Sequence, residues 1–280
     1  MASGAKHDQV TSRPIGVFDS GIGGLTVVRE LFRQLPGESI VYFGDTARVP
    51  YGTKSDQTVQ MFALQDAQFL VQQNVKLIVV ACNTASANSL DLLKEKISMP
   101  IEGVIQPGAR AAVEATRSGR VGVIGTDSTI ASRAYERAIQ ALDPDISIFA
   151  RSCPLFVPLA EEGWTEDPIT VQVAERYLTH LRRCRVDVLV MGCTHYPLLK
   201  DVIARTMGSE VTLIDSGTAT ATAVGRILNR EGLRNTEIDP PEHHFYVSDL
   251  PRKFGQVGER FLGGSLAHVV RVNNIERPAI

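Results

Sequence analysis

The chain has 280 residues, 44% of them apolar, with 29 Lys and Arg against 31 Asp and Glu, a length that buries a substantial core in one large or two medium domains. Its charges are scattered, with no basic run to mark a nucleic-acid groove, and no apolar stretch approaches the roughly 20 residues that cross a bilayer. The opening MASGAKHDQVTS lacks the apolar segment of a secretory signal, so the expected compartment is the cytoplasm, where Cys82, Cys153, Cys184 and Cys193 stay reduced.

Residues 1–12 are small, polar and without period, and are expected to form a disordered arm. From Pro14 onward apolar runs alternate with helical patterns. PIGVFDS, SIVYFGD, KLIVVAC, IEGVI, RVGVIGT, ISIFA, DVLVMGC, VTLID and HHFYVS read as strands. Between them, Val59, Phe62, Ala63, Phe69 and Leu70 share one helical face, as do Ala174, Tyr177, Leu178 and Leu181. Near-continuous apolar strands alternating with amphipathic helices predict an α/β fold with mostly parallel sheets flanked by helices.

An approximate internal repeat organises these elements. IGVFDSGIGG is echoed by VGVIGTDST and KLIVVACNTAS by DVLVMGCTHYP; Gly16 and Gly122 are 106 positions apart, Cys82 and Cys193 111. Two pseudo-symmetric domains are therefore expected. The boundary falls near Ile105 to Ala109, with the C-terminal segment returning to the first half: residues 13–108 plus 218–280 form one domain and 109–217 the other.

In open parallel sheets ligands bind beyond the carboxyl ends of strands, and each of the paired cysteines sits where its apolar run stops. Two halves facing across a pseudo-two-fold axis would bring Cys82 and Cys193 to opposite sides of one ligand in the interdomain cleft. Inverting a carbon acid needs this arrangement, because the proton leaves one face and returns to the other. A free thiol titrates near pH 8.5, and bringing it to 7 takes roughly 2 kcal/mol, so neighbours must assist. Asp19, ending the first strand, is the candidate beside Cys82, and His195 beside Cys193. Ser20, Asn83, Thr84 and Thr194 supply a polar cradle for carboxylates and an ammonium group. Gly21, Gly23 and Gly24 keep the first turn open, but G-I-G-G is not a dinucleotide fingerprint.

FDSGIGGLTV, GDTARVPYG, ACNTASA, CPLFVP and GCTHYPLL resemble the signature segments of the aspartate/glutamate racemase family, of its bacterial glutamate racemases in particular, over a span from Arg13 nearly to the C-terminus. The resemblance implies racemisation of glutamate, D-glutamate for peptidoglycan, and catalysis without pyridoxal phosphate or metal. Carried over by position, Cys82 and Cys193 are the acid/base thiols. Asp19, Ser20, Tyr51, Gly52, Asn83, Thr84, Thr194 and His195 line the substrate site, Glu161 assists the second thiol, and Thr126 contacts a substrate carboxylate. A homodimer is the commonest assembly to expect. Contact with DNA gyrase, reported for some racemases of this family, gains no support from the mildly acidic composition.

Blander readings stand beside these. A strand-end cysteine is commonly a small buried hydrophobe, Asp19 could cap the following helix, and Tyr51 and Gly52 could be turn residues after Pro50. Cys193 with His195 could begin a metal site, although no second Cys/His pair lies close. Trp164 reads as packing. Rival functions are an aspartate or hydantoin racemase, a non-catalytic amino-acid-binding module and, without a C-x-x-C pair, a thiol oxidoreductase.

Overall fold

Every run expected as a strand forms one in the computed structural model, which describes residues 10–236, 239–266 and 268–272. In chain order these are β1 Ile15–Asp19, α1 Leu25–Gln34, β2 Ile40–Gly44, α2 Asp56–Gln72, β3 Leu77–Val80, α3 Asn83–Lys96, β4 Ile101–Gly103 and α4 Ile105–Ala115. The second half follows with β5 Arg120–Gly125, α5 Asp127–Ala131, α6 Ala134–Leu142, β6 Ser147–Ser152, α7 Phe156–Glu162, α8 Pro168–Arg183, β7 Val188–Gly192, α9 Lys200–Met207, β8 Thr212–Asp215 and α10 Ser216–Arg230. The chain closes with β9 His243–Val247, α11 Pro251–Leu262 and β10 Val269–Arg271, the last a strand with no expectation from sequence.

The strands form two parallel sheets, ordered β10-β9-β2-β1-β3-β4 and β6-β5-β7-β8. Without β9 and β10, the first sheet repeats the connectivity of the second strand for strand, as the internal repeat requires. In both, the order reverses between the first and third strands of the repeat, β1 and β3 or β5 and β7. This is where α/β sheets open a crevice for ligands.

Alternation within the strands fills both faces. Ile15, Val17, Leu77 and Val79 join a core shared with Leu189, Met191 and Cys193 of the second sheet. Phe18, Ile78, Val80 and Cys82 turn to a cluster with Val59, Ala63 and Leu70 of α2, so that helix buries the expected stripe, with Phe62 and Phe69 half-buried. Ser55 caps α2 by accepting from the Thr58 N–H at 3.3 Å, and Asp167 caps α8 by accepting from Ile169 at 2.8 Å with Pro168 at the first position.

Of the expected disordered arm, residues 1–9 lie outside the described residues. Thr11 is buried, its carbonyl accepting from the Lys76 ammonium, which also pairs with buried Glu38 at 2.5 Å. Trp164, read as packing, is 45% exposed. Among the described residues no helix is long and apolar enough to cross a membrane.

Candidate active site

The turns after β3 and β7 are where the two cysteines leave their sheets. Cys82 is the N-cap of α3, its Sγ accepting from the Ala85 N–H at 3.5 Å. Cys193 follows β7 directly and precedes a 3-10 turn over Tyr196–Leu199. Both thiols are buried and free of disulfides. They open into one cavity of about 300 Å³ at the carboxyl ends of both sheets, the small end of the range for ligand sites. Ser20, Tyr51, Gly52, Asn83 and Thr84 line it from the first half, and Thr126, Glu161, Thr194 and His195 from the second. Asp19 alone of the expected residues is absent from the wall; it lies buried one position behind Ser20.

The two thiols stand in different electrostatic surroundings. Burial, then the Asp19 carboxylate, push the Cys82 thiol up to about 12, against partial relief from the Ala85 and Ser20 backbone and the Ser20 hydroxyl 3.6 Å away. The expectation of neighbours that lower this thiol is thus reversed, because the nearest charge is an anion and water is excluded. Asp19 itself is raised by burial, opposed by His195 and by N–H donors of its own turn. One carboxylate oxygen accepts from Gly21 at 3.0 Å and the other has no partner among the described residues. The helix cap considered for Asp19 is not formed, since the N-cap of α1 is Gly24 and no side chain caps it.

On the other face, His195 Nδ1 lies 3.8 Å from Cys193 Sγ and Nε2 lies 3.0 Å from Glu161 Oε1. Burial alone would lower the imidazole, but these two partners outweigh it and push it up to about 10. A cation is therefore held beside Cys193, and a buried carboxyl group beside Cys82. By the repeat offset the counterpart of Asp19 is Gly125, so the asymmetry is written into otherwise matching turns.

Asn83 accepts the Tyr135 hydroxyl at 2.7 Å, while its buried Nδ2 has no partner among the described residues. Thr84, Thr126 and Thr129 form a hydroxyl triangle with sides of 3.0 to 3.3 Å. Tyr51 is in a 3-10 turn, as the blander reading had it, and its hydroxyl is engaged by protein carboxylates. It lies 2.5 Å from Asp45 and 2.9 Å from Asp66, two buried carboxylates that also bind Arg48. Sequence reasoning did not find this network, nor Thr129. The signal available for Asp45 was its place directly after β2, one register position beyond Asp19 in β1. No group of three or more His, Cys, Asp or Glu among the described residues could hold a metal ion.

A sequence model of the Asp/Glu/Hydantoin racemase family matches residues 15–224, three quarters of the chain and both cysteine turns. The chain belongs to that family. Among its Asp/Glu/Hydantoin racemase relatives, a glutamate racemase from Geobacter metallireducens is 54% identical over 261 residues, 93% of this chain and 97% of the relative. The crystal structure of a glutamate racemase isoform from Bacillus anthracis superposes with a TM-score of 0.91 at 41% identity, covering 95% of this chain and 99% of that one. The glutamate racemase of Francisella tularensis, solved in complex with D-glutamate, gives 0.88 at 42%, with 95% and 99% covered. The family match stops short of β9, α11 and β10.

Proposed function

We propose that this chain is a glutamate racemase, interconverting L- and D-glutamate by proton transfer at Cα between Cys82 and Cys193. The observation that carries the reading is that the repeated strands β3 and β7 deliver two thiols into one small cavity. One thiolate takes the Cα proton, the electron pair delocalises into the adjacent carboxyl group, and the opposite thiol returns a proton to the other face. The reverse reaction exchanges the roles, and no electrons enter or leave.

Charge at Cα is manageable only if the ammonium and carboxylates of the substrate are matched. Asp19 and Ser20 suit the ammonium, and Asn83 Nδ2 with the hydroxyls of Thr84, Thr126 and Thr194 suits carboxylates. A thiol at about 12 needs roughly 7 kcal/mol to ionise at pH 7; an ammonium held at Ser20 beside Cys82, with the Asp19 carboxyl behind it, contributes the missing positive charge. His195, oriented by Glu161, serves Cys193. The nearby relatives named glutamate racemase support glutamate over aspartate or a hydantoin as substrate.

The two matching sheets support a division into 13–108 plus 218–280 and 109–217. We further infer a cytoplasmic homodimer supplying D-glutamate for peptidoglycan; no contact with nucleic acid, membrane or DNA gyrase is proposed. The deciding test is optical rotation of L-glutamate with the purified chain and its Cys82→Ser and Cys193→Ser variants. Rotation should decay toward zero with wild type and persist with either variant; decay with aspartate alone would transfer the activity to that substrate.

A further inference from the structure

Helix α11 lies beyond the region matched to the family, yet it reaches the second acid/base group. The Phe261 ring is fully buried against His195, with centroids 5.2 Å apart and planes at 81°. The neighbouring residue, Arg260, donates from Nη1 to the carbonyl of Glu161 at 3.0 Å, where α7 ends. Consecutive residues of one helix thus touch both members of the His195–Glu161 pair from outside the cavity. The Arg260 guanidinium also occupies the space a Cβ on Gly163 would need, 2.4 Å from its Nη1. Gly163 has φ +76 and ends α7, so the bare turn admits the guanidinium.

We infer that Phe261 and Arg260 are positioning residues that hold His195 and Glu161 in register with Cys193, so that the C-terminal helix sets the acid/base competence of one thiol and not of the other. An aromatic ring packed perpendicular to an imidazole fixes its plane. The bond to the Glu161 backbone fixes the segment from which that carboxylate reaches Nε2. Cys82 has no such brace among its hydrogen-bond partners, which are Ser20 and the Ala85 N–H.

The inference rests on the racemase reading, and kinetics separate the two. Enantiomers are equal in free energy, so kcat/KM must stay equal in the two directions whatever the variant. A defect confined to Cys193 therefore divides unequally. For the enantiomer whose α-proton Cys193 removes, the ionised thiol is needed before reaction and the loss falls on KM. For the other enantiomer, Cys193 delivers the proton and the loss falls on kcat.

The experiment measures kcat and KM for L- and D-glutamate with the full-length wild type, Phe261→Leu and Arg260→Gln, alongside thermal unfolding. We expect about a 10-fold rise in KM for one enantiomer and about a 10-fold fall in kcat for the other, in line with the cost of slight misplacement of an acid/base group. Equal falls in kcat for both enantiomers at unchanged KM, or no change, overturn the positioning role. Should Phe261→Leu fail to fold, the exposed Arg260→Gln decides alone by the same split. A wild type that racemises no glutamate overturns the activity and this inference together.

Discussion

Gly23, in the turn after β1, lies so close to His195 across the cleft that a Cβ on it would stand 2.6 Å from the imidazole Cε1 and 2.2 Å from the Thr194 hydroxyl. Thr26 completes the contact by donating to the Thr194 carbonyl at 2.9 Å. The requirement is for space rather than for unusual backbone, and Gly23→Ala must push the two halves apart. Displacements of this kind cost about 10²-fold in rate, so we expect kcat/KM to fall by that order while circular dichroism stays native; a fully active Gly23→Ala would contradict the contact.

Removing the Tyr51 hydroxyl leaves Asp45 and Asp66 with one fewer partner. Burial and then Asp45 raise the Asp66 carboxyl well above its ordinary value, and Tyr51→Phe removes the hydroxyl that bridges the two carboxyl groups. A cost of about 1–3 kcal/mol is expected for such a buried group, read as a lower denaturant midpoint, together with a raised KM because Tyr51 and Gly52 form the cavity wall. A midpoint equal to wild type would show that the bridge adds nothing to stability.

His195 should remain a cation through the neutral range. Its folded value of about 10 lies above the ordinary 6.5, so its contribution to stability is fully present below 6.5 and drains as pH rises through 10. Following the ring proton by NMR should show no midpoint between pH 6 and 8, and Glu161→Gln should move the titration downward. A midpoint near 6.5 in wild type would mean that Cys193 and Glu161 do not hold the proton.

The Cys82 thiol, pushed up to about 12, should resist alkylation. Allowing for the greater nucleophilicity of a more basic thiolate, iodoacetamide at pH 8 should modify it about 10²-fold more slowly than an unperturbed thiol. Mass spectrometry of timed digests reads this directly, with half-buried Cys184 as the internal reference; Cys82 labelled as fast as Cys184 would refute it.

Asp187 supports the turn into β5, accepting from the Thr116 hydroxyl at 2.7 Å and from the Arg117 and Ser118 N–H groups at 2.6 and 2.8 Å. Burial is the largest single influence and raises the carboxyl, but these donors together outweigh it and hold it down to about 2. Its contribution is therefore present above its ordinary value of 3.8 and lost as pH falls toward 2. Asp187→Ala should cost about 1–2 kcal/mol at pH 7, a Tm drop of a few degrees, and the gap from wild type should close in acid.

The strands were legible because parallel strands buried on both faces read as unbroken apolar runs, and the cysteine turns because they recur at nearly constant spacing. Local pattern carries less where a side chain's partner is distant in sequence. Nothing around Tyr51 tells that its hydroxyl is taken by Asp66, and nothing in ACNTASA tells that Asp19 will raise the thiol. Likewise β10 is only three residues long, too short for a period to register, and Phe261 meets His195 only because β9 brings the chain back to the first sheet.

That return has a consequence for the order in which the protein can be completed on the ribosome. The second sheet is built from one unbroken stretch and can close as soon as β8 has emerged. The first sheet, begun earlier by β1, must wait with β2 as a bare edge until β9 pairs with it, and His195 waits for Phe261. An edge left open through most of synthesis is a place for foreign strands to pair, and a chain stopped after residue 236 would carry both thiols in place and a standing invitation to aggregate.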